Sequence, residues 1–142
     1  MNAKAYLKQI RKLDIQIDDN TEELSRLNAL ATKVTSVLSG EVVSRTRDTD
    51  TMKTVDKIIE LREEINRDVD RFVDLKREAK RLLSMLATED EFYFKVLNSR
   101  YVLYKTWEQI ACDLGFSYQY VCGDLHGKAL QAFQKILDRE KS

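Results

Sequence analysis

The chain has 142 residues, which allows one compact domain, or one small domain beside an elongated helical segment, and excludes a large multidomain enzyme. It has no proline, only four glycines and 34% charged residues, a composition that favours long helices over sandwiches and barrels. Lys+Arg and Asp+Glu are both 24, so no overall basic excess points to nucleic acid and any such binding must be local. We therefore expect an all-α protein.

The cysteine count and the hydropathy pattern indicate a compartment. Cys112 and Cys122 are too few for a disulfide framework, and no apolar run approaches the roughly 18 residues of a membrane span. The first residues lack the apolar core of a signal peptide. We expect a cytoplasmic protein with reduced thiols and no membrane contact.

The first ninety residues carry an apolar heptad pattern. From Ala3 to Leu38, ten of eleven positions spaced alternately three and four apart are apolar, and Ser39-Gly40 ends the pattern. The pattern returns from Ile58 to Leu86, in a second helix predicted to begin with Asp50 or Thr51 as its N-cap. Residues 1–87 are thus predicted to form a long antiparallel coiled-coil helical hairpin.

The row of heptad positions along each helix, called its seam below, contains one polar residue, which is Asn20 in the first helix and Asp68 in the second. If the hairpin turns near residue 44, opposed residues have numbers that sum to about 88, which sets these two side chains level. A facing amide and carboxylate satisfy each other and fix the register. The alternative is two independent imperfections that point partly to solvent, and the sequence leaves both interpretations open.

A two-helix hairpin leaves apolar surface uncovered. Seven large apolar residues lie off the strict seam, namely Ile15, Leu30, Val37, Ile59, Val69, Val73 and Leu83. Either a third helix of the same chain or a second copy of the hairpin must cover them. We favour the second copy, and therefore expect a homo-dimer or a higher oligomer.

The last fifty-five residues have a different organisation. Thr88 and Glu91 have the spacing of a capping box, which predicts a helix that ends near Tyr104. A second capping box, Thr106 with Gln109, predicts the next helix. Residues 88–142 are therefore predicted to form a separate module of three helices.

The turn of this module has the spacing of a helix-turn-helix. Ala111 is small where two helices would touch, Gly115 allows the positive φ of the turn, and Val121 would lock the following helix, which Ser117 caps. The predicted core of the motif comprises Trp107, Ile110, Ala111, Leu114, Gly115, Val121 and Leu125. Tyr101 and Phe116 are expected to be core residues as well.

The second helix of such a motif enters the major groove of DNA. This places Tyr118, Gln119, Cys122 and Gly123 nearest the bases, with His126 farther along. Gln119 is suited to adenine, and Tyr118 or Tyr120 to phosphate or a thymine methyl. The expected phosphate contacts are Arg100, Lys105 and Lys128. From Thr88 onward seven basic residues face eight acidic ones, so the module should bind weakly alone and gain affinity from dimerisation.

Two glycines and one histidine in the C-terminal region are candidates for a specific binding role. Gly123 and Gly127 each cost about 1 kcal/mol in a helix, which favours close approach to DNA or to a neighbouring helix over simple tolerance. Cys122 and His126 share a helical face, but with Cys112 they do not make a four-ligand zinc site, so no metal is expected. No catalytic constellation and no cofactor motif is present in the sequence, and we do not expect an enzyme.

These residues resemble a known family. The segments Leu97-x-x-Arg100-Tyr101, Thr106 to Ala111, Leu114-Gly115-x-Ser117 and Leu125 to Leu130 are similar to the C-terminal helix-turn-helix of bacterial sigma factors. The whole arrangement resembles phage late-gene transcriptional regulators of the RinA/ArpU kind. The resemblance implies sequence-specific binding of double-stranded DNA near a promoter, and it leaves contact with RNA polymerase open.

The sequence leaves two alternatives to a transcription regulator of phage or prophage type. One is a helical adaptor or scaffold whose C-terminal module binds protein such as RNA polymerase, which the missing basic face favours. The other is a phage DNA-packaging component, which would form rings instead of dimers.

Overall fold

The computed structural model describes residues 2–38 and 45–141, with side chains for residues 2–33 and 52–141. The described residues form helices and no strand, so the predicted all-α class is confirmed. The helices are α1 (Ala3–Leu38), α2 (Arg45–Glu89), α3 (Glu91–Leu97), α4 (Trp107–Leu114), α5 (Tyr118–Tyr120) and α6 (His126–Lys141).

Two π-helical segments join some of these helices. Asn98–Val102 extends α3, and Val121–Leu125 connects α5 to α6, so that residues 118–141 form one continuous helix. A π-helical turn holds more residues than an α-helical one and is found frequently at functional sites.

The ends of α2 and α3 differ from the prediction. The helix α2 begins at Arg45, so Asp50 and Thr51 lie inside it. At its other end α2 continues to Glu89, and the Thr88 hydroxyl donates to a backbone carbonyl of α2 instead of capping the next helix. Asp90 is the N-cap of α3, because its carboxylate accepts from two backbone N–H groups at the helix start.

Part of the predicted hairpin lies outside the described residues. This holds for the turn at Ser39-Gly40 and for the side chains of Val34, Val37 and Leu38.

The chain divides into two compact units at places other than residue 88. Unit 1 comprises residues 1–13 and 72–142, and unit 2 comprises residues 14–71. The beginning of α1 and the end of α2 are buried together with the C-terminal helices. The C-terminal helices therefore share one core with both long helices and do not form a separate module.

Unit 1 has a continuous apolar core. Its buried side chains come from α1 (Ala3, Tyr6, Leu7, Ile10), α2 (Ala79, Leu82, Leu83, Leu86), residues 96–111 (Val96, Leu97, Tyr101, Val102, Ile110, Ala111) and the C-terminal helix (Val121, Leu125, Ala129, Phe133, Ile136, Leu137). The Tyr6 hydroxyl donates to Glu78, 2.9 Å away, and the Ala3 N–H donates to the side-chain carbonyl of Gln134. The first of these hydrogen bonds joins α1 to α2, and the second joins α1 to the C-terminal helix.

Unit 2 is a thinner structure. Most seam side chains of residues 14–33 and 52–71 are only half-buried, and Ile58 and Asp68 are the two buried ones among the described side chains of this unit. Gln16 donates to a carboxylate oxygen of Asp68 at 3.1 Å. The residue numbers of this pair add up to 84, and so do those of Tyr6 and Glu78. A constant sum is expected when the two helices run antiparallel.

The predicted pairing of Asn20 with Asp68 is replaced by a register one turn away. The partner of Asp68 is Gln16, four residues before Asn20. The amide nitrogen of Asn20 is buried and has no hydrogen-bond partner among the described residues. In both hydrogen-bonded pairs that join α1 to α2, the residue numbers add up to 84 instead of the predicted 88.

Unit 2 exposes several large apolar side chains on its surface, namely Ile15, Leu30, Met52, Val55, Ile59 and Val69. Of the seven off-seam apolar residues that the sequence singled out, three are not exposed side chains of unit 2. Leu83 is fully buried in unit 1, Val73 is exposed there, and the side chain of Val37 is not described. None of the helices in the described ranges combines the length and apolar character that a membrane crossing needs.

Candidate nucleic-acid interface

The helix α4 begins at the predicted capping box. The Thr106 hydroxyl accepts from the Gln109 N–H at 3.2 Å, and the Gln109 side chain accepts from the Thr106 N–H at 3.0 Å. Two N–H groups that would otherwise lack partners at the helix start are thus satisfied. The prediction for this helix start is confirmed.

The turn after α4 depends on glycine. Gly115 has a φ of 72°, and its N–H donates to the carbonyl of Ala111 in the last turn of α4. This left-handed conformation costs little for glycine and more for a residue with a Cβ. Ser117 then caps the following helix by accepting from the Tyr120 N–H. Two helices are therefore separated by only three residues.

The inner faces of these helices are apolar. Ile110, Ala111, Val121 and Leu125 are buried, as the sequence predicts. Trp107 and Leu114 are half-buried and pack against the same core. The first turns of the C-terminal helix are thereby held against α4.

His126 lies inside this core and not on the outer face. It is 9% exposed, its Nε2 lies 2.8 Å from the Tyr101 hydroxyl, and its ring centroid lies 4.7 Å from that of Trp107. Burial lowers the pKa of His126 to about 4, and the nearby cations Lys4 and Arg100 act in the same direction. The predicted role of His126 in contacting DNA is therefore replaced by a neutral core histidine.

Tyr101, the hydrogen-bond partner of His126, is buried as well. Loss of solvent raises the pKa of Tyr101, while the charge of Arg100 acts in the opposite direction. The hydroxyl of Tyr101 therefore keeps its proton and the pair stays uncharged near neutral pH.

Two of the three predicted phosphate contacts are engaged within the protein. The Arg100 guanidinium donates to the backbone carbonyl of Lys105 at 3.0 Å and lies 4.6 Å from the centroid of the Trp107 ring system. The Lys105 ammonium lies 2.9 Å from a carboxylate oxygen of Asp113. Lys128 is exposed, and no ion pair joins it to another described residue.

The outer face at the start of the C-terminal helix consists of Tyr118, Gln119, Tyr120 and Gly123, all exposed, and the half-buried Cys122. A Cβ added at Gly123 or at Gly127 would meet no atom within 4 Å. This excludes packing against a neighbouring helix of the described chain as the reason for either glycine. What the two glycines provide is open surface next to the helix backbone.

An aromatic cluster that sequence reasoning missed borders this face. The ring centroids of Phe92 and Phe116 lie 5.3 Å apart, and those of Phe116 and Tyr120 also lie 5.3 Å apart. Phe116 was expected in the core but is 37% exposed. Phe116 lies four residues before Tyr120, and this spacing could have indicated the contact between their rings. No local pattern indicates the contact with Phe92, which is distant in sequence.

The face offers amide, hydroxyl and aromatic groups for binding. Among the described residues, no group of three or more histidine, cysteine or acidic side chains is placed to hold a metal ion. Cys112 is exposed and Cys122 half-buried, and both are free thiols. No protein-family model, curated protein or solved structure matches the chain.

Proposed function

We propose that this chain is a sequence-specific DNA-binding transcription regulator of phage or prophage type, with a helix-turn-helix in which the helix from Tyr118 reads the major groove. One observation carries the proposal. The tight turn at Gly115 and the cap at Ser117 present Tyr118, Gln119 and Gly123 together on an exposed helix start. Helix-turn-helix proteins contact base edges with the same part of their second helix.

The side chains on this face suit base edges. The Gln119 amide has the donor and acceptor that adenine requires, and the Tyr118 and Tyr120 rings suit a thymine methyl or a phosphate. Gly123 has no side chain, so a base edge can approach the helix backbone there.

The inner contacts support the same function. The Tyr101–His126 hydrogen bond and the contact between the Trp107 and His126 rings connect residues 98–107 to the C-terminal helix, and Arg100 stacks on Trp107. They limit how far that helix can rotate, and a fixed helix orientation is what base readout requires. The π-helical segment Val121–Leu125 lies in this part of the helix, as such segments frequently do at functional sites.

The electrostatics of the face predict weak and unusually salt-tolerant binding. Lys128 is the predicted phosphate contact whose charge is not engaged by a described residue, so few phosphates are neutralised per chain. The logarithm of the binding constant falls by about 0.9 per neutralised phosphate for each tenfold rise in salt. Pairing of two chains on one operator would supply the remaining affinity through effective concentration.

The test is selection of bound fragments from a random double-stranded DNA pool with the full chain, followed by binding measurements on the selected motif. Gln119→Ala should weaken binding by about 1–3 kcal/mol and relax the preference at one base pair. Gln131→Ala is the matched control, because Gln131 is an exposed glutamine farther along the same helix.

A shared motif that depends on Gln119 and not on Gln131 supports the proposal. Absence of any shared motif at low and at physiological salt contradicts it, and so does equal loss of binding in the two variants.

A second function, a protein adaptor, is favoured by the exposed aromatic cluster and by the internal engagement of Arg100 and Lys105. Its first partner to test is RNA polymerase. An adaptor retains purified polymerase without DNA and loses it on Phe116→Ser, whereas a DNA reader loses the selected motif on Gln119→Ala.

A further inference from the structure

The surface of unit 2 carries an apolar stripe that its own seam does not use. Met52, Val55, Ile59 and Val69 are 68%, 43%, 49% and 38% exposed. They follow the alternating three-and-four spacing of a heptad seam, with the exposed Arg62 and Asn66 at the two positions between Ile59 and Val69. The stripe extends for about 25 Å along α2, which is the length of a helix of roughly 17 residues.

An acidic row runs beside the stripe. Asp56, Glu63 and Asp70 are exposed, and each lies one helical turn after a stripe position, rotated by about 40° around the helix. No ion pair or side-chain hydrogen bond joins any of the three to another described residue. Arg62 is the single cation at a stripe position, so the acidic charge predominates along this surface.

This charge pattern disfavours a second copy as the occupant. An antiparallel copy that sets Ile59 against Val69 of the other chain would bring Asp56 beside Asp70 and the two Glu63 side chains together. A parallel copy in register would set Arg62 against Arg62. Like charges at such contacts oppose association and are a common means of excluding a wrong partner.

From the stripe and its acidic row we infer that this face of α2 binds a cationic amphipathic helix of a different protein. The partner inserts an apolar seam of heptad spacing between the stripe side chains and places Lys or Arg against Asp56, Glu63 and Asp70. This surface belongs to unit 2 and does not depend on DNA reading, so the failure of one proposal leaves the other intact.

Synthetic helices test the inference. Fluorescence anisotropy with the full chain would compare three labelled peptides of about four heptads: leucine seam with lysine flanks, leucine seam with glutamate flanks, and a scrambled form of the lysine peptide. The lysine-flanked peptide should bind at least about tenfold more tightly than either of the others, since only it matches both apolar spacing and charge.

Two variants at exposed positions should weaken that binding severalfold. Ile59→Ser/Val69→Ser removes apolar contact area, and Asp56→Asn/Glu63→Gln removes two charges. Glu60→Gln/Asp74→Asn is the matched control, because both acids are exposed on the same helix about 100° or more around from the stripe. Its binding should equal that of the wild type.

Equal binding of the lysine and glutamate peptides overturns the inference, as does equal binding of the scrambled peptide or binding of neither designed helix. Self-association in sedimentation that Ile59→Ser/Val69→Ser abolishes would assign the face to a second copy instead.

Discussion

The two units share the same two long helices and differ in what covers them. In unit 1 the seam residues Tyr6, Ile10 and Leu82 are buried, because the C-terminal helices add a further layer over them. In unit 2 the same heptad spacing leaves Leu24 and Leu61 half-buried, because the described residues of this unit belong to α1 and α2 alone. The heptad pattern thus specifies which helix faces meet, and the number of neighbouring helices decides how much of the pattern is buried.

The largest expected effect is on the free energy of unfolding, and it compares a core residue of unit 1 with a seam residue of unit 2. Phe133→Ala should lower the free energy of unfolding by about 3–5 kcal/mol, because Phe133 is fully buried and its loss leaves a cavity. Leu61→Ala should cost roughly 1–2 kcal/mol, since a half-buried side chain loses less contact and solvent can fill the space. Urea unfolding measures both, and equal losses would contradict the difference between the units.

The second prediction concerns pH and unit 1 alone. The pKa of His126 is about 4 in the folded chain and has an ordinary value of 6.5 when unfolded, so the unfolded state binds the extra proton between these values. The part of the folding stability that depends on an uncharged His126 is therefore fully present above pH 6.5. Up to about 3 kcal/mol of it is lost as the pH falls towards 4.

Thermal or urea unfolding of the wild type and of His126→Gln across pH 4–7 isolates this contribution. The two stabilities should approach each other as the pH falls. Curves that remain parallel would show that His126 titrates normally in the folded protein.

The third prediction concerns the polar seam positions of unit 2. Asn20→Leu should stabilise the protein by about 1–3 kcal/mol, because it removes a buried amide nitrogen that has no partner. Gln16→Ala should destabilise it by a similar amount, since buried Asp68 loses its hydrogen-bond donor. Destabilisation by Asn20→Leu with little effect of Gln16→Ala would argue for the register in which Asn20 pairs with Asp68.

The smallest effects concern two glycines with opposite backbone requirements. Gly115→Ala should destabilise the fold by about 1–2 kcal/mol, because the φ of 72° disfavours any residue with a Cβ. Gly123→Ala should stabilise it by about 1 kcal/mol, since the position is helical and a methyl group meets no atom within 4 Å. Calorimetry measures both, and weaker DNA binding by the more stable Gly123→Ala variant would separate a binding role from a structural one.

Short-range features of the site could be predicted from the sequence. The Thr106–Gln109 box, the left-handed Gly115 and the Ser117 cap each depend on residues within four positions of one another. Their physical cause is local hydrogen bonding and backbone sterics, so a sequence pattern contains all the required information.

The rest depends on contacts that no local pattern contains. His126 is buried because Tyr101 and Trp107 approach it from residues 25 and 19 positions earlier. Arg100 and Lys105 appear free in the sequence, and only the folded chain shows the groups that engage them. The predicted partner of Asp68 lies one turn from the observed one because the heptad spacing of both long helices permits either pairing.

The π-helical segment Val121–Leu125 separates the outward face at Gln119 from the buried Phe133. Because a π-helical turn holds one residue more than the α-helical turn it replaces, deletion of a single residue within this segment converts it to α-helix and keeps Gln119 outward and Phe133 buried. A deletion in the α-helical stretch between residues 126 and 133 instead rotates one of these two side chains by about 100° relative to the other. A one-residue deletion within residues 121–125 should therefore be better tolerated than one between residues 126 and 132, even at positions where every individual side chain can be replaced.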